Sequence, residues 1–248
     1  MPNLTARWPL GLTTKNWPNY LTALVAVLFA LMFFDAYVSQ TLIAWPDVWR
    51  APFYFLTDFG LSDWVLIPSL IVMILALIGR FVLPSGYYRR ASWELTMLAS
   101  FIFVGVGAPG LLANGLKRLF GRGRPSEFLE HGAFAFRQVF NDSTFQSFPS
   151  GHSTTAMATA LVVGFVAPKF FRLFLLIAVM TGFSRIVIGM HYPTDVIAGF
   201  ALGCIGAYVV RNFFAARRWL FAKLPDGTIR FRGLPNLRRL WRRATQRA

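Results

Sequence analysis

WELTMLASFIFVGVGAPGLLANGLKRLFGRGRP, residues 93–125, decides the fold class. Between Glu94 and Lys117 no residue carries a charge. About 20 predominantly apolar residues suffice to cross a bilayer as a helix. This stretch meets that length and then delivers Lys117, Arg118, Arg122 and Arg124 directly to one membrane surface.

Working outward, five further segments read the same way. The six predicted spans are residues 21–38, 64–83, 93–116, 152–167, 172–190 and 194–214. The fourth is short, and Ala167-Pro168-Lys169 makes a tight break before the fifth. Of the 248 residues, 56% are apolar and 14% charged, against roughly a quarter charged in soluble domains. The predicted fold is therefore all-α, a polytopic bundle of six transmembrane helices. Residues 1–214 form the span domain, with a short N-terminal segment, and residues 215–248 a basic tail. The first segment lacks an A-x-A-like site after it and is read as an uncleaved span.

The net charge is +15, and eleven of the 25 basic residues lie between Arg211 and the C-terminus. Such a cluster beyond a span reads as a topology signal and an anchor for anionic membrane lipids rather than a nucleic-acid surface. Counting basic residues places eighteen on the side of the termini and seven on the other. Both termini are thus expected in the cytoplasm, with the first, third and fifth loops facing outward. The expected location is the inner, cytoplasmic membrane. The single cysteine, Cys204, lies in an apolar run and reads as a buried small residue. No Cys/His cluster has zinc-ligand spacing.

Three motifs fall on the outward side. Lys117 is followed after six residues by Arg124-Pro125; Pro149-Ser150-Gly151-His152 opens the fourth span; Ser184-Arg185, five residues, His191, three residues, Asp195 joins the fifth span to the sixth. Lys117, Arg124 and Arg185 offer three cations to a phosphate dianion, two of them in bidentate form. Ser150 offers a hydroxyl, and Gly151 allows close backbone approach at a helix start, where free N–H groups favour anions. His191 and His152 have the chemistry of a nucleophile and a general acid. Asp195, one helical turn past His191, suits acceptance of its second ring proton. Arg118, Arg122 and Arg137 read as arginines snorkelling to headgroups. Asp35 and Arg80 lie at opposite faces and read as interfacial. His131 is given no role in the chemistry. The aromatic loop 39–63 reads as an interfacial belt.

Taken together, KX6RP, PSGH and SRX5HX3D resemble the signature of the type 2 phosphatidic acid phosphatase superfamily, with every position matched. The resemblance implies that Lys117, Arg124, Ser150, Gly151 and Arg185 hold phosphate and its trigonal-bipyramidal transition state. It also implies that His191 is the nucleophile, Asp195 orients it and His152 protonates the leaving oxygen. Water then hydrolyses the phosphohistidine, with no metal and no cofactor. The expected substrate is a phosphorylated lipid: undecaprenyl pyrophosphate, phosphatidylglycerophosphate, phosphatidic acid or lipid A. The same motifs would serve a lipid phosphotransferase. A vanadate-dependent haloperoxidase shares such a site but is soluble, and a non-catalytic lipid transporter would leave the histidines unexplained. Headgroup preference is assigned to loop 39–63 and segment 126–147.

Overall fold

The structure is a computed structural model that describes residues 3–84, 86–138 and 142–246. Val139, Phe140 and Asn141, within the segment assigned to headgroup preference, lie outside the described residues. Among the described residues the protein is all-α apart from one hairpin near the C-terminus, as the long apolar runs predict.

The elements, in order, are α1 (Trp17–Ile43), α2 (Asp47–Thr57), α3 (Asp63–Val82) and α4 (Gly86–Phe120), then the single turn α5 (Phe128–His131). They continue with α6 (Gly151–Val166), α7 (Phe171–Val187) and α8 (Pro193–Ala216). The strands β1 (Phe221–Lys223) and β2 (Ile229–Phe231) and the helix α9 (Pro235–Thr245) complete the chain. All six predicted spans are helices. Among the described residues, five helical stretches are long and apolar enough to cross a membrane, and α6, with 16 residues, is shorter. The chain is a multi-pass membrane protein.

α6 is the centre of the bundle. Eleven of its 16 residues are buried, on all sides of the helix. Its sequence therefore carries no polar stripe, because no face meets water. Small residues let the neighbours close in. A Cβ at Gly199 of α8 would stand 2.5 Å from Ser150 O, and one at Gly203 would stand closer still to Thr154 O. Small residues four apart on one face allow backbones to touch where no hydrophobic force drives association. This contact fixes the start of α6 against the start of α8, where the second and third motifs lie. Ser150 N–H donates to Asp195 O across it, at 2.9 Å.

α1 is the reverse case. Only Asp35, Ser39 and Leu42 of its 27 residues are buried, and residues such as Phe29 and Phe33 face outward, as suits contact with lipid.

Beyond α8, β1 and β2 pair antiparallel, Phe221 opposite Phe231. Phe221 packs on Phe101 of α4, ring centroids 4.8 Å apart. Glu94 of α4 accepts the Asn236 and Leu237 N–H groups and so caps the start of α9. Arg211, counted with the basic tail in the sequence, is instead fully buried. It donates to Leu4 O, Ala6 O and Arg7 O and lies 4.6 Å from the ring centres of both Phe165 and Tyr208. It ties the N-terminal segment to α8 and is no lipid anchor.

Candidate active site

The first motif ends the longest helix. Lys117 occupies the last turn of α4 and is 9% exposed. Gly121 then turns the chain at φ +61°; a Cβ there would collide with Arg137 O. Residues 122–124 then run between two neighbouring segments. Arg122 bridges to Phe136, Gly123 N–H donates to Ala135 O, and Arg124 N–H donates to Thr144 O.

The second motif starts α6. Ser150 is its N-cap: Oγ accepts from Ser153 N–H at 3.4 Å and from Ser153 Oγ at 2.9 Å. That oxygen serves the helix start, and its own O–H is left to donate. Gly151 lies against the first motif, since a Cβ there would stand 3.4 Å from Lys117 Nζ. His152 follows, half-buried, with Gly60 of the first loop packed on its Cβ.

The third motif spans the α7–α8 turn. Arg185 sits in the last turn of α7 and donates from Nη1 to Thr57 Oγ1 at 2.6 Å. His191 is 1% exposed and its N–H donates to Arg185 O at 3.1 Å. Asp195 lies at the third position of α8. Its Oδ2 accepts Tyr192 N–H at 2.9 Å, closing the helix start, and the Ser147 hydroxyl at 2.5 Å. His191 Nδ1 is 3.8 Å from the same oxygen, beyond hydrogen-bond range, and has no partner in the protein.

These elements bring Lys117, Arg124, Arg185, His152 and His191 within electrostatic reach of one another. Three cations around two imidazoles is a costly arrangement unless an anion completes it. The donor inventory says the same, because Arg124 Nε and Arg185 Nε are buried without a protein acceptor. Burial draws the Arg124 guanidinium below its ordinary range. Burial also pushes His191 down to about 3, and Lys117 and Arg185 add to this against the opposing Asp195 carboxylate. The resting imidazole is therefore neutral near pH 7, with a free lone pair.

A cavity of about 360 Å³ opens from Lys117, Gly151 and His152 and runs between α3 and α4, past Leu66, Gly110 and Asn114. A second, almost wholly apolar cavity of about 330 Å³ lies among α3, α4, α6 and α7, and Val106 lines both. A partly polar cavity beside an apolar one offers room for a lipid with a charged head.

The chain matches the PAP2 superfamily over residues 95–219. It belongs to that superfamily. It is 33% identical to a lipid A 1-phosphatase of Rhizobium johnstonii over 91% of this chain and 93% of that protein. It is 32% identical to phosphatidylglycerophosphatase B of Bacillus subtilis over 64% of this chain and 71% of that one. Its fold is similar to the crystal structure of a transmembrane PAP2-type phosphatidylglycerolphosphate phosphatase from Bacillus subtilis, with TM-score 0.53 and 24% identity over 79% of this chain and 96% of that one. This PAP2 protein is a membrane lipid phosphatase.

Two sequence expectations are corrected. Arg122 does not snorkel. It is 1% exposed and bonded to Asp35 and Asp195 at 2.8 and 2.6 Å. Asp35 is not interfacial but fully buried in that pair. A buried ion pair holds where the solvent-facing reading fails because each charge has its partner in place. Arg118 and Arg137 are exposed, as expected. His131 is exposed and stacks on Phe145, centroids 5.5 Å apart. With Glu127 and Glu130 it offers ligand atoms within 4.8 Å of one another, and none of these three residues belongs to the cationic pocket.

Loop 39–63 is also more than a belt. Trp45 and Phe53 pack with Phe183 of α7, while Trp49, Tyr54 and Phe55 stay exposed. The sequence did not point to Thr57 or Ser147. Both are hydroxyls without a motif, recognisable only once Arg185 and Asp195 are placed beside them.

Proposed function

We propose that this PAP2 phosphatase removes a phosphate monoester from a glycolipid of the lipid A class by way of a phosphohistidine on His191. What carries this reading is one observation: Lys117 and His152 line a cavity between α3 and α4, and His191, Arg124 and Arg185 lie within electrostatic reach of His152, the two arginines with Nε groups that have no protein acceptor. Likeness to a lipid A 1-phosphatase over 91% of the chain, against 64% for phosphatidylglycerophosphatase B, supports the lipid A class over the phosphoglycerides.

In the proposed mechanism Lys117, Arg124, Arg185, the Gly151 backbone and the Ser150 hydroxyl hold the phosphoryl oxygens. His191 Nε2 attacks phosphorus in line with the leaving oxygen. The P–O bond to the lipid breaks as His152 gives its proton to that oxygen, and the lipid alcohol departs. His152 then takes a proton from water, the resulting hydroxide attacks phosphorus, and the P–N bond breaks to release inorganic phosphate and neutral His191. Asp195 orients His191 and offsets its charge while it is phosphorylated. The fixed cations supply stabilisation where negative charge develops. No metal or cofactor has a step to perform.

The excess of basic residues at the termini supports cytoplasmic ends, with α6 as a sixth span and the site on the outer face of the inner membrane. Residues 1–214 are read as the phosphatase domain. Residues 215–248 are a basic cytoplasmic extension, with Arg238, Arg239, Arg242 and Arg243 of α9 meeting anionic lipids beside the exposed Trp241.

The test is phosphate release from four purified lipids, namely lipid A, phosphatidylglycerophosphate, undecaprenyl pyrophosphate and phosphatidic acid, with chelator present. Lipid A should be the best substrate and lose one phosphate by mass spectrometry. A clear preference for another lipid would overturn the substrate assignment. His191→Ala should lower turnover by at least about 10⁴-fold and abolish acid-labile labelling from ³²P-substrate. Labelling retained in that variant would overturn the nucleophile.

A further inference from the structure

α1 crosses the membrane yet contributes a fully buried carboxylate, Asp35, to the interior. A carboxylate in a transmembrane helix is costly and faces the bundle only where a partner holds it. Here the partner is Arg122, and every nitrogen of that guanidinium is used. Nη2 donates to Asp35 Oδ2 at 2.8 Å and to Ala133 O at 3.2 Å; Nη1 donates to Asp195 Oδ1 at 2.6 Å and to Thr194 Oγ1 at 2.8 Å; Nε donates to Ala133 O at 3.4 Å. The Tyr192 ring covers it, with Cζ 4.4 Å from the ring centre.

Asp35 also grips the start of α8 directly. Its Oδ1 accepts Thr194 N–H at 3.0 Å, and the Thr194 hydroxyl donates to Oδ2. Tyr192, Thr194 and Asp195, all just past His191, are thus held by side chains from α1 and from the extended segment after α4.

The charge arrangement matters to the reaction. One guanidinium is shared between two carboxylates, so the ionised cluster keeps one net negative charge. If Arg122 acted on Asp195 alone, it would neutralise the carboxylate that faces His191 Nδ1. Phosphorylated at Nε2 and still protonated at Nδ1, His191 is cationic and needs that charge. We infer that Asp35 and Arg122 are positioning residues: together they place Asp195 and set the negative charge it offers to His191, without touching phosphate. This rests on the reading of His191 as nucleophile, which the ³²P experiment decides separately.

The test uses the full-length protein in nanodiscs, with whichever of the four lipids releases phosphate. Competent sites are counted by vanadate binding, so that turnover is expressed per folded site. Asp35→Asn keeps the shape and removes the charge. We expect kcat per site to fall by about 10–100-fold, the range for outer partners that orient a reactive group, with KM within about twofold. The double variant Asp35→Asn with Arg122→Gln should be more active per site than Asp35→Asn alone, because the unshared guanidinium is gone. Wild-type kcat per site in Asp35→Asn, a change confined to KM, or a double variant below the single would overturn the inference. If Asp35→Asn yields no competent sites, Arg122→Lys carries the same test, since an ammonium cannot span both carboxylates. The same split in kcat and KM is expected, and wild-type turnover per site would overturn the inference. Should the wild type form no phosphohistidine while Asp35→Asn still lowers kcat, the nucleophile assignment fails and the positioning role stands.

Discussion

Arg122 and Arg124 are separated by one glycine and carry the same side chain, yet the protein treats them oppositely. Arg122 finds all its acceptors inside the fold, two of them carboxylates. Arg124 finds almost none: Nη1 reaches Met190 Sδ at 3.0 Å, and Nε is buried without a partner. Arg122 is fully buried and Arg124 only partly so, but both are buried enough to need partners, and formal charge does not separate them. What separates them is whether the fold supplies the anion. A guanidinium with built-in carboxylates is a fixed strut, whereas one with unmatched donors is a receptor for an anion brought from outside.

The largest effect should come from the strut. Arg122→Gln leaves Asp35 and Asp195 buried without their shared cation. Breaking a buried pair from one side costs about 3–5 kcal/mol, so the variant should show a clearly lower thermal midpoint in detergent, with activity lost alongside. Arg124→Gln should do the reverse. Turnover should fall by about 10²–10³-fold, the range for losing one fixed transition-state donor. Thermal stability should hold or rise, because Arg124 repels Lys117 and Arg185. Arg124→Gln losing stability, or Arg122→Gln keeping it, would break the comparison.

A smaller effect tests how far Arg185 resembles Arg124. Arg185 also has an unmatched Nε, but Thr57 Oγ1 accepts from its Nη1 at 2.6 Å and Asp58 acts on it through space. Thr57→Val removes that acceptor while keeping the volume. Hydrogen bonds to charged groups contribute about 1.5–3 kcal/mol, part of which returns when phosphate is bound. Phosphate release should therefore slow by about tenfold. Unchanged kinetics would mean that α7 alone places Arg185 and that α2 is only a cover.

The contrast also marks where sequence reading stops. That Lys117, Arg124, His152, Arg185, His191 and Asp195 come together was readable because their motifs suit phosphate chemistry and the spans put their loops on one face. The helices were readable because each needed a long apolar run. Nothing local distinguishes the two arginines of GRGR, since the difference lies in Asp35, 87 residues before Arg122. A usable signal did exist. Asp35 is a lone carboxylate near the outward end of the first span, on the same side as the third loop, and such a residue asks for a cation there. The reading of Asp35 as interfacial, unpaired because Arg80 lies at the opposite face, overlooks the third loop. Thr57 and Ser147 carried no signal, because a hydroxyl in a loop has too many ordinary uses. The order of the tail was hidden for a related reason: a basic composition suggests a surface arm, while Phe221 and Ile229 supply the apolar contacts that seat it.

His191 lies between the cations of the pocket and the Asp195 carboxylate held by Arg122, and its protonation reports on both. On the receptor side, Lys117 and Arg185 disfavour an imidazolium; on the strut side, Asp195 favours it, but its charge is shared with Arg122. Burial decides the outcome, pushing His191 down to about 3, whereas an ordinary histidine titrates near 6.5. The sign is definite. A lowered value means that the unfolded chain binds the proton more readily than the fold does, so between about pH 6.5 and 3 protonation works against the folded site. Above that window His191 stays neutral and ready to attack. Nitrogen NMR of histidine-labelled protein should thus show no charge change at His191 between pH 5 and 8. An acid limb of kcat/KM in that range should survive in variants that alter His191's neighbours, because it belongs to another group, the substrate phosphate included. A His191 resonance titrating near 6.5 would mean that neither burial nor the cations bear on it, and the division between strut and receptor would lose its consequence for the chemistry.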